Sequence, residues 1–224
     1  LREIVADIRE AGGDADYILA DLSEATVCDH VYSQICDRWG HADIWVNNAG
    51  FAWYGFGEHI PWSLAERMIA VNTIAVARLT QLALGDMKAR DRGHVINVGS
   101  IAGVIPSQGV AHYSATKAFV DAFSTSLHRE TRGTGVNVSV VRAGAVATPF
   151  YERVLQHSEG RRIPVERFAV SAEKVAERIW ALIQKPARLA YVPAGLWIVP
   201  WIELCFGWLM DRLGPRLLAA QSRD

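Results

Sequence analysis

Tyr113 and Lys117 stand four residues apart at the start of an apolar-periodic run, and a hydroxyl, Ser100, lies thirteen residues before the tyrosine. In a helix, residues i and i+4 share a face with their Cβ atoms roughly 5–6 Å apart, so a phenol and an ammonium would occupy one site. The chemistry that uses such a pair is proton transfer to or from an alcohol or carbonyl oxygen. A free tyrosine ionises near about 10, so acid/base work at neutral pH needs a downward shift of about 3 units, or about 4 kcal/mol. A unit positive charge about 4 Å away, at an effective dielectric of about 20, supplies on the order of 4 kcal/mol. One lysine is enough, and Ser100 would donate a hydrogen bond to the substrate oxygen. Taken alone, Tyr-x-x-x-Lys also describes a core tyrosine beside a solvated lysine, so the neighbouring segments have to decide.

Those segments are specific. Ser100 ends a β-like run, His94 to Gly99, and Asn47-Asn48-Ala49-Gly50 ends another, Asp43 to Val46. Together these residues resemble the short-chain dehydrogenase/reductase family, from Leu1 to about Thr148 and more loosely to the C-terminus. The resemblance implies an α/β fold, a Rossmann-like doubly wound parallel sheet with helices on both faces. It implies hydride transfer between NAD or NADP and a carbonyl or secondary alcohol, with Tyr113 as general acid/base. Lys117 would lower the tyrosine pKa and bind ribose, Tyr113 would itself also contact the cofactor, and Asn72 would complete a tetrad by anchoring a proton-relay water. Asn48, Ala49 and Gly50 would lie along the cofactor ribose, with Asn47 mainly structural. Asp21, with the Leu22 amide, would hold the adenine, although an aspartate there also suits a helix N-cap. Val146 and Thr148 would hold the nicotinamide amide, in a segment where Ala143 replaces the family's usual proline and its φ restraint.

The elements that must position these groups follow from periodicity and punctuation. Leu1–Glu10 reads as the end of a helix closed by Gly12-Gly13, Tyr17–Ala20 as a short strand, and Glu24–Trp39 as a helix. Ser63-Leu64-Ala65-Glu66 is a capping box, predicting a long helix to about Arg90, with Asn72 inside its apolar stretch as either a satisfied core amide or a helix irregularity. Further helices are expected from about Tyr113 to the Gly133 break and over Ser171–Gln184, with strands at Val136–Val141 and Leu189–Val192. The loop of Phe51, Trp53, Tyr54 and Phe56 reads as a substrate wall for an apolar ketone or alcohol, or as a surface-covering cluster. Family position makes Phe150–Phe168 a lid over the substrate, or else a plain surface excursion.

Half of the 224 residues are hydrophobic, enough for one core, and 1–224 reads as one domain with 190–224 as a hydrophobic extension. A net charge of −1 without a basic block argues against nucleic acid. Cys28, Cys36 and Cys205 have no metal-site spacing and read as reduced thiols in the cytoplasm. The tail, with Trp201 and Trp208 seven apart and Arg212 and Arg216 beyond, reads as a homo-oligomer interface or substrate-site cover, or as an interfacial membrane helix. No glycine-rich pyrophosphate turn is present. In the strand order 3-2-1-4-5-6, Tyr17–Ala20 would be the third strand, so the N-terminal β-α-β portion is absent and a gap is expected in the sheet. That leaves NAD against NADP undecided. It also allows a fragment whose isolated chain is inactive, or a non-catalytic scaffold; a nucleotide-sugar epimerase or dehydratase is a further rival.

Overall fold

The computed structural model describes residues 1–148, 150 and 169–221, the side chains of 210 and 213–221 excepted. Continuous apolar runs need cover on both faces, and they form a parallel sheet. Among the described residues its strands β1 (Ile44–Asn47), β2 (Gly93–Ser100), β3 (Val136–Ala143) and β6 (Leu189–Val192) lie in the order β1-β2-β3-β6. A separate parallel pair joins β4 (Val146–Ala147) to β5 (Val170–Ser171).

The helices are α1 (Arg2–Glu10), α2 (Ala25–Trp39), α3 (Trp62–Ile69), α4 (Val76–Ala89), α5 (Ala111–Glu130), α6 (Ala172–Gln184) and α7 (Val199–Gln221). Strand alternation sorts them onto the two faces. Val95 and Val138 pack with Leu79, Ala83 and Met87 of α4, while Val140 packs with Val120 of α5. Ile96 and Val141 face the other way, onto Leu182 of α6. The doubly wound architecture is therefore present as expected.

Three sequence expectations fail for physical reasons. Tyr17–Ala20 is not a strand, because no neighbouring strand supplies it a ladder. The expected gap is consequently absent: the sheet simply ends at β1, where Ile44 and Val46 are exposed beside an apolar groove of about 340 Å³ lined by Leu22, Val31, Ile35 and Leu79. The capping box does not form either, since α3 starts at Trp62 with Pro61 as N-cap and no side-chain cap bond. Proline already fixes φ there and Ser63 falls inside the first turn. The lid expected at 150–168 lies, but for Phe150, outside the described residues.

Helices α3 and α4 are continuous through a π-helical turn, Ala70–Ala75, that contains Asn72. By length and composition the span Trp62–Ala89 could cross a membrane, but more than half of it is buried in the body, as befits a core helix.

His94, at the start of β2, is buried with its Nε2 2.8 Å from Ser139 Oγ. Ser139 donates its own proton to the Ala187 carbonyl, so Nε2 must be the imidazole donor, and buried Nδ1 has no partner. Burial lowers the His94 pKa to about 4. The unfolded chain thus binds an extra proton between about pH 4 and 6.5, and folding free energy should fall by about 2 kcal/mol from pH 7 to pH 5 through this group. Denaturant titrations of wild type and His94→Gln at both pH values check it; equal acid losses in the two proteins would remove His94 as the cause.

Candidate active site

The first turns of α5 carry Tyr113 and Lys117, the pair singled out in the sequence. Lys117 is buried at 6% exposure, its Nζ donating to the Val98 carbonyl at 2.9 Å and lying 5.8 Å from the centre of the Tyr113 ring. β1 stops at the pair Asn47–Asn97, one residue short of Val98. Desolvation lowers the Lys117 pKa to about 8, so the ammonium is still charged at neutral pH. Ser100 ends β2 and caps the short 3-10 turn Ile101–Gly103 by accepting from the Ala102 amide at 3.1 Å. An accepting hydroxyl keeps its proton for a substrate oxygen. That turn lies tightly on α5: a Cβ on Gly103 would stand 2.6 Å from the Lys117 carbonyl carbon.

Asn72 is fully buried, and its amide accepts from the Phe51 N–H at 3.1 Å and donates to the Phe51 carbonyl at 2.8 Å and to Thr116 Oγ1 at 3.1 Å. Thr116 in turn donates to the Tyr113 carbonyl at 2.7 Å. The helix irregularity thus ties the loop after β1 to the turn holding the pair, and π turns are frequent at functional sites. Thr116 had no signal in the sequence beyond standing between Tyr113 and Lys117.

Asn47 is structural, as expected. It takes a bond from Trp45 Nε1 and gives bonds to Thr80 and Asn97 at 2.8 Å each, while Asn97 donates to Ser124. One buried polar network thereby fixes α4, β1, β2 and α5 together. Asn48 and Ala49 are exposed at the carboxyl end of β1, the place where parallel sheets bind ligands. A Cβ on Gly50 would lie 3.0 Å from Asn72 Oδ1 and 3.6 Å from Lys117 Nζ, so only glycine leaves that approach open.

These residues fit a nicotinamide dinucleotide. An ammonium has three N–H donors, and Lys117 has one bonded among the described residues, leaving two for ribose hydroxyls across the bare Gly50.

The bonds described for the remaining predicted site residues go to groups other than these. Asp21 is not the N-cap of α2, which is Glu24; its carboxylate accepts from the Ser23 amide and pairs with Arg67 at 2.9 Å. The Ser23 amide, helped by Arg67, holds its pKa below the ordinary carboxylate range. The Leu22 side chain packs against the core under α2. Val146 belongs to β4, and Thr148 donates to the Val146 carbonyl at 3.5 Å. Phe150, two residues on, brings its ring 6.1 Å from that of Tyr113. Ala143 needs no proline to be rigid: it is paired with Val192, whose carbonyl takes the Gly144 amide at 2.8 Å. In the aromatic loop, Trp53 and Tyr54 are buried, Trp53 against Ile60 and Met68, while Phe51 and Phe56 are half-buried.

Residues 1–159 match the family model described as short chain dehydrogenase. The NADP-dependent 3-hydroxy acid dehydrogenase YdfG of Escherichia coli is 31% identical over 194 residues, which cover 84% of this chain and 78% of that protein. The 3-oxoacyl-acyl-carrier-protein reductase of Synechocystis is 30% identical over 189 residues, 84% of this chain and 76% of that one. In fold, the chain resembles a short chain dehydrogenase/reductase from Burkholderia phymatum in complex with NAD, with TM-score 0.81 at 19% identity over 93% of this chain and 82% of that one. None of these matches favours a non-catalytic scaffold. The chain belongs to the short-chain dehydrogenase family and is a NAD(P)-dependent oxidoreductase.

Proposed function

We propose that the chain interconverts a carbonyl and a secondary alcohol with Tyr113 as the general acid/base. The observation that carries this is the Lys117 ammonium over the Tyr113 ring at 5.8 Å, one helical turn away, with the turn that Ser100 caps packed on the same stretch of α5. When bound, NAD or NADP supplies or accepts the hydride. Ser100 donates a hydrogen bond to the substrate oxygen, and Tyr113 gives that oxygen its proton in reduction and takes it back in oxidation. Lys117 stabilises the phenolate by its charge and holds ribose hydroxyls with its two remaining donors. Asn72 and its π turn hold a water that relays protons to Lys117. Asn48, Ala49 and Gly50 line the cofactor, Asp21 with the Leu22 amide takes the adenine, and Val146 with Thr148 takes the nicotinamide amide.

The substrate is a small 3-oxo or 3-hydroxy acid derivative with an apolar chain. The two relatives with such substrates in their names support this, as does the Phe150 ring 6.1 Å from that of Tyr113. The test is nicotinamide oxidation with a panel of 3-oxo acids and apolar ketones, comparing the wild type with Tyr113→Phe. Unchanged turnover in the variant would overturn the assignment.

The free thiols of Cys28, Cys36 and Cys205 support a reducing, cytoplasmic setting. The tail supports a covered face: Trp197, Trp201, Leu204, Phe206 and Trp208 are all more than half exposed. The apolar helical stretch Ala194–Leu209 would be about 24 Å long, short of the roughly 30 Å hydrocarbon core, so the contact is peripheral or between subunits. Leu204→Lys/Trp208→Lys is expected to turn an oligomer into monomers in sedimentation velocity, and to leave no protein on floated vesicles. If the wild type is already monomeric and never floats, the face has neither role.

A further inference from the structure

Arg142, near the end of β3, makes the least exposed ion pair among the described residues, and the proposed chemistry leaves it unused. Its Nε and Nη2 donate to the two carboxylate oxygens of Asp121 on α5 at 2.6 and 2.7 Å, with the two side chains 14% and 15% exposed. Its Nη1 donates to the Tyr191 hydroxyl on β6, and the guanidinium lies 5.3 Å from the centre of the Tyr191 ring. A two-pronged guanidinium–carboxylate pair fixes orientation as well as distance. Three elements are thereby locked at the carboxyl end of the sheet, where the site lies.

The register shows what the lock controls. Asp121 is four residues past Lys117, so the two share a face of α5. On the sheet, Arg142 pairs with Gly99, and Val141 pairs with Val98, whose carbonyl receives the Lys117 ammonium. The two ties therefore join the same helix to adjacent rows of the same sheet, about 6 Å apart along the helix. One of them is under load. A desolvated ammonium is drawn towards water, and α5 can relieve that burial by lifting from β2. The Arg142–Asp121 pair opposes the lift. A buried pair is in itself a poor source of stability, which makes geometric control the better account of its presence.

We propose that Arg142, Asp121 and Tyr191 are positioning residues that hold α5 against the sheet so that Lys117 stays at Val98 and beside Tyr113. This rests on the catalytic reading above. Arg142→Met alone would strand a buried carboxylate and risks misfolding, whereas Asp121→Leu/Arg142→Met removes both charges together and should fold. In that double variant, kcat is expected to fall by about 10- to 100-fold, as a misplacement of about 1 Å costs up to about 10²-fold. The Lys117 ammonium, followed by NMR titration, should move up by roughly one pH unit as water reaches it. Arg142→Lys keeps the charge without the fork and should fall between wild type and the double variant. The NMR titration is independent of turnover, so a catalytic misassignment, exposed by an active Tyr113→Phe, would leave it readable. A folded double variant with a wild-type Lys117 titration and wild-type kcat overturns the proposal.

Discussion

Tyr113→Phe is expected to lower kcat by about 10²–10⁴-fold, the range that a positioned general acid/base contributes. The loss should fall on kcat and kcat/KM together, because the phenol proton moves only in the transition state. Nucleotide binding, measured by fluorescence titration, should change little, since the groups assigned to the ribose are Lys117 and the turn after β1. The ring itself remains, so its packing on the Trp53, Ile60, Ala65 and Met68 cluster and its contact with Phe150 at 6.1 Å persist, and the fold should be undisturbed. A variant that folds, binds nucleotide and turns over normally would remove Tyr113 from the chemistry.

Lys117→Met should separate activity from stability. Turnover is expected to fall by at least about 10²-fold, because the phenolate loses its charge partner and the ribose its donors. Stability should move the other way. With its pKa lowered to about 8 by burial, charged Lys117 costs the native state about 3 kcal/mol at pH 7. Methionine removes that cost and fills the same space, but it strands the Val98 carbonyl, which takes back about 1–2 kcal/mol. The net expectation is a gain of about 1–2 kcal/mol. The pH dependence is the sharper signature. Between about pH 8 and 10.5 the unfolded lysine holds a proton that the native one has lost, so wild-type stability should rise with pH across that window. The Lys117→Met curve should lack that component. Parallel curves in urea melts at about pH 7.5, below the window, and about pH 9.5, well inside it, would show that the ammonium carries no burial cost.

The legible part of this protein was the part written in local pattern. The runs at Asp43–Val46 and His94–Gly99 carry their own cover requirement, and Tyr113 with Lys117 carries its own i, i+4 geometry. Element positions therefore emerged to within a residue or two at β1, β2, α2 and β6. What stayed illegible depends on partners distant in the chain. Tyr17–Ala20 has the composition of a strand, but a strand exists only where another offers its edge. The Ser63 box has the right letters, yet Pro61 starts the helix before it can act. Trp53 and Tyr54 read as ligand wall or as surface cover, and their burial, Trp53 against Ile60 and Met68, depends on residues in and just before the following helix that no local pattern announces. Asn72 sat between two readings, and the structure satisfies both: its amide is fully engaged as a core residue, and the helix around it is irregular. The Arg142–Asp121 pair spans 21 residues and had no motif at all.

The end of the sheet at β1 has a colloidal consequence. Strand edges template the addition of further strands, and this one has no charged side chain within Ile44–Asn47, but exposed Ile44 and Val46 flanking an apolar trough. Whatever extended, alternating segment docks there gains a backbone ladder and a dry face in one step. As handled alone, the chain should therefore self-associate through this rim at high concentration while its core is still intact, and clouding on warming would report the edge before it reports unfolding.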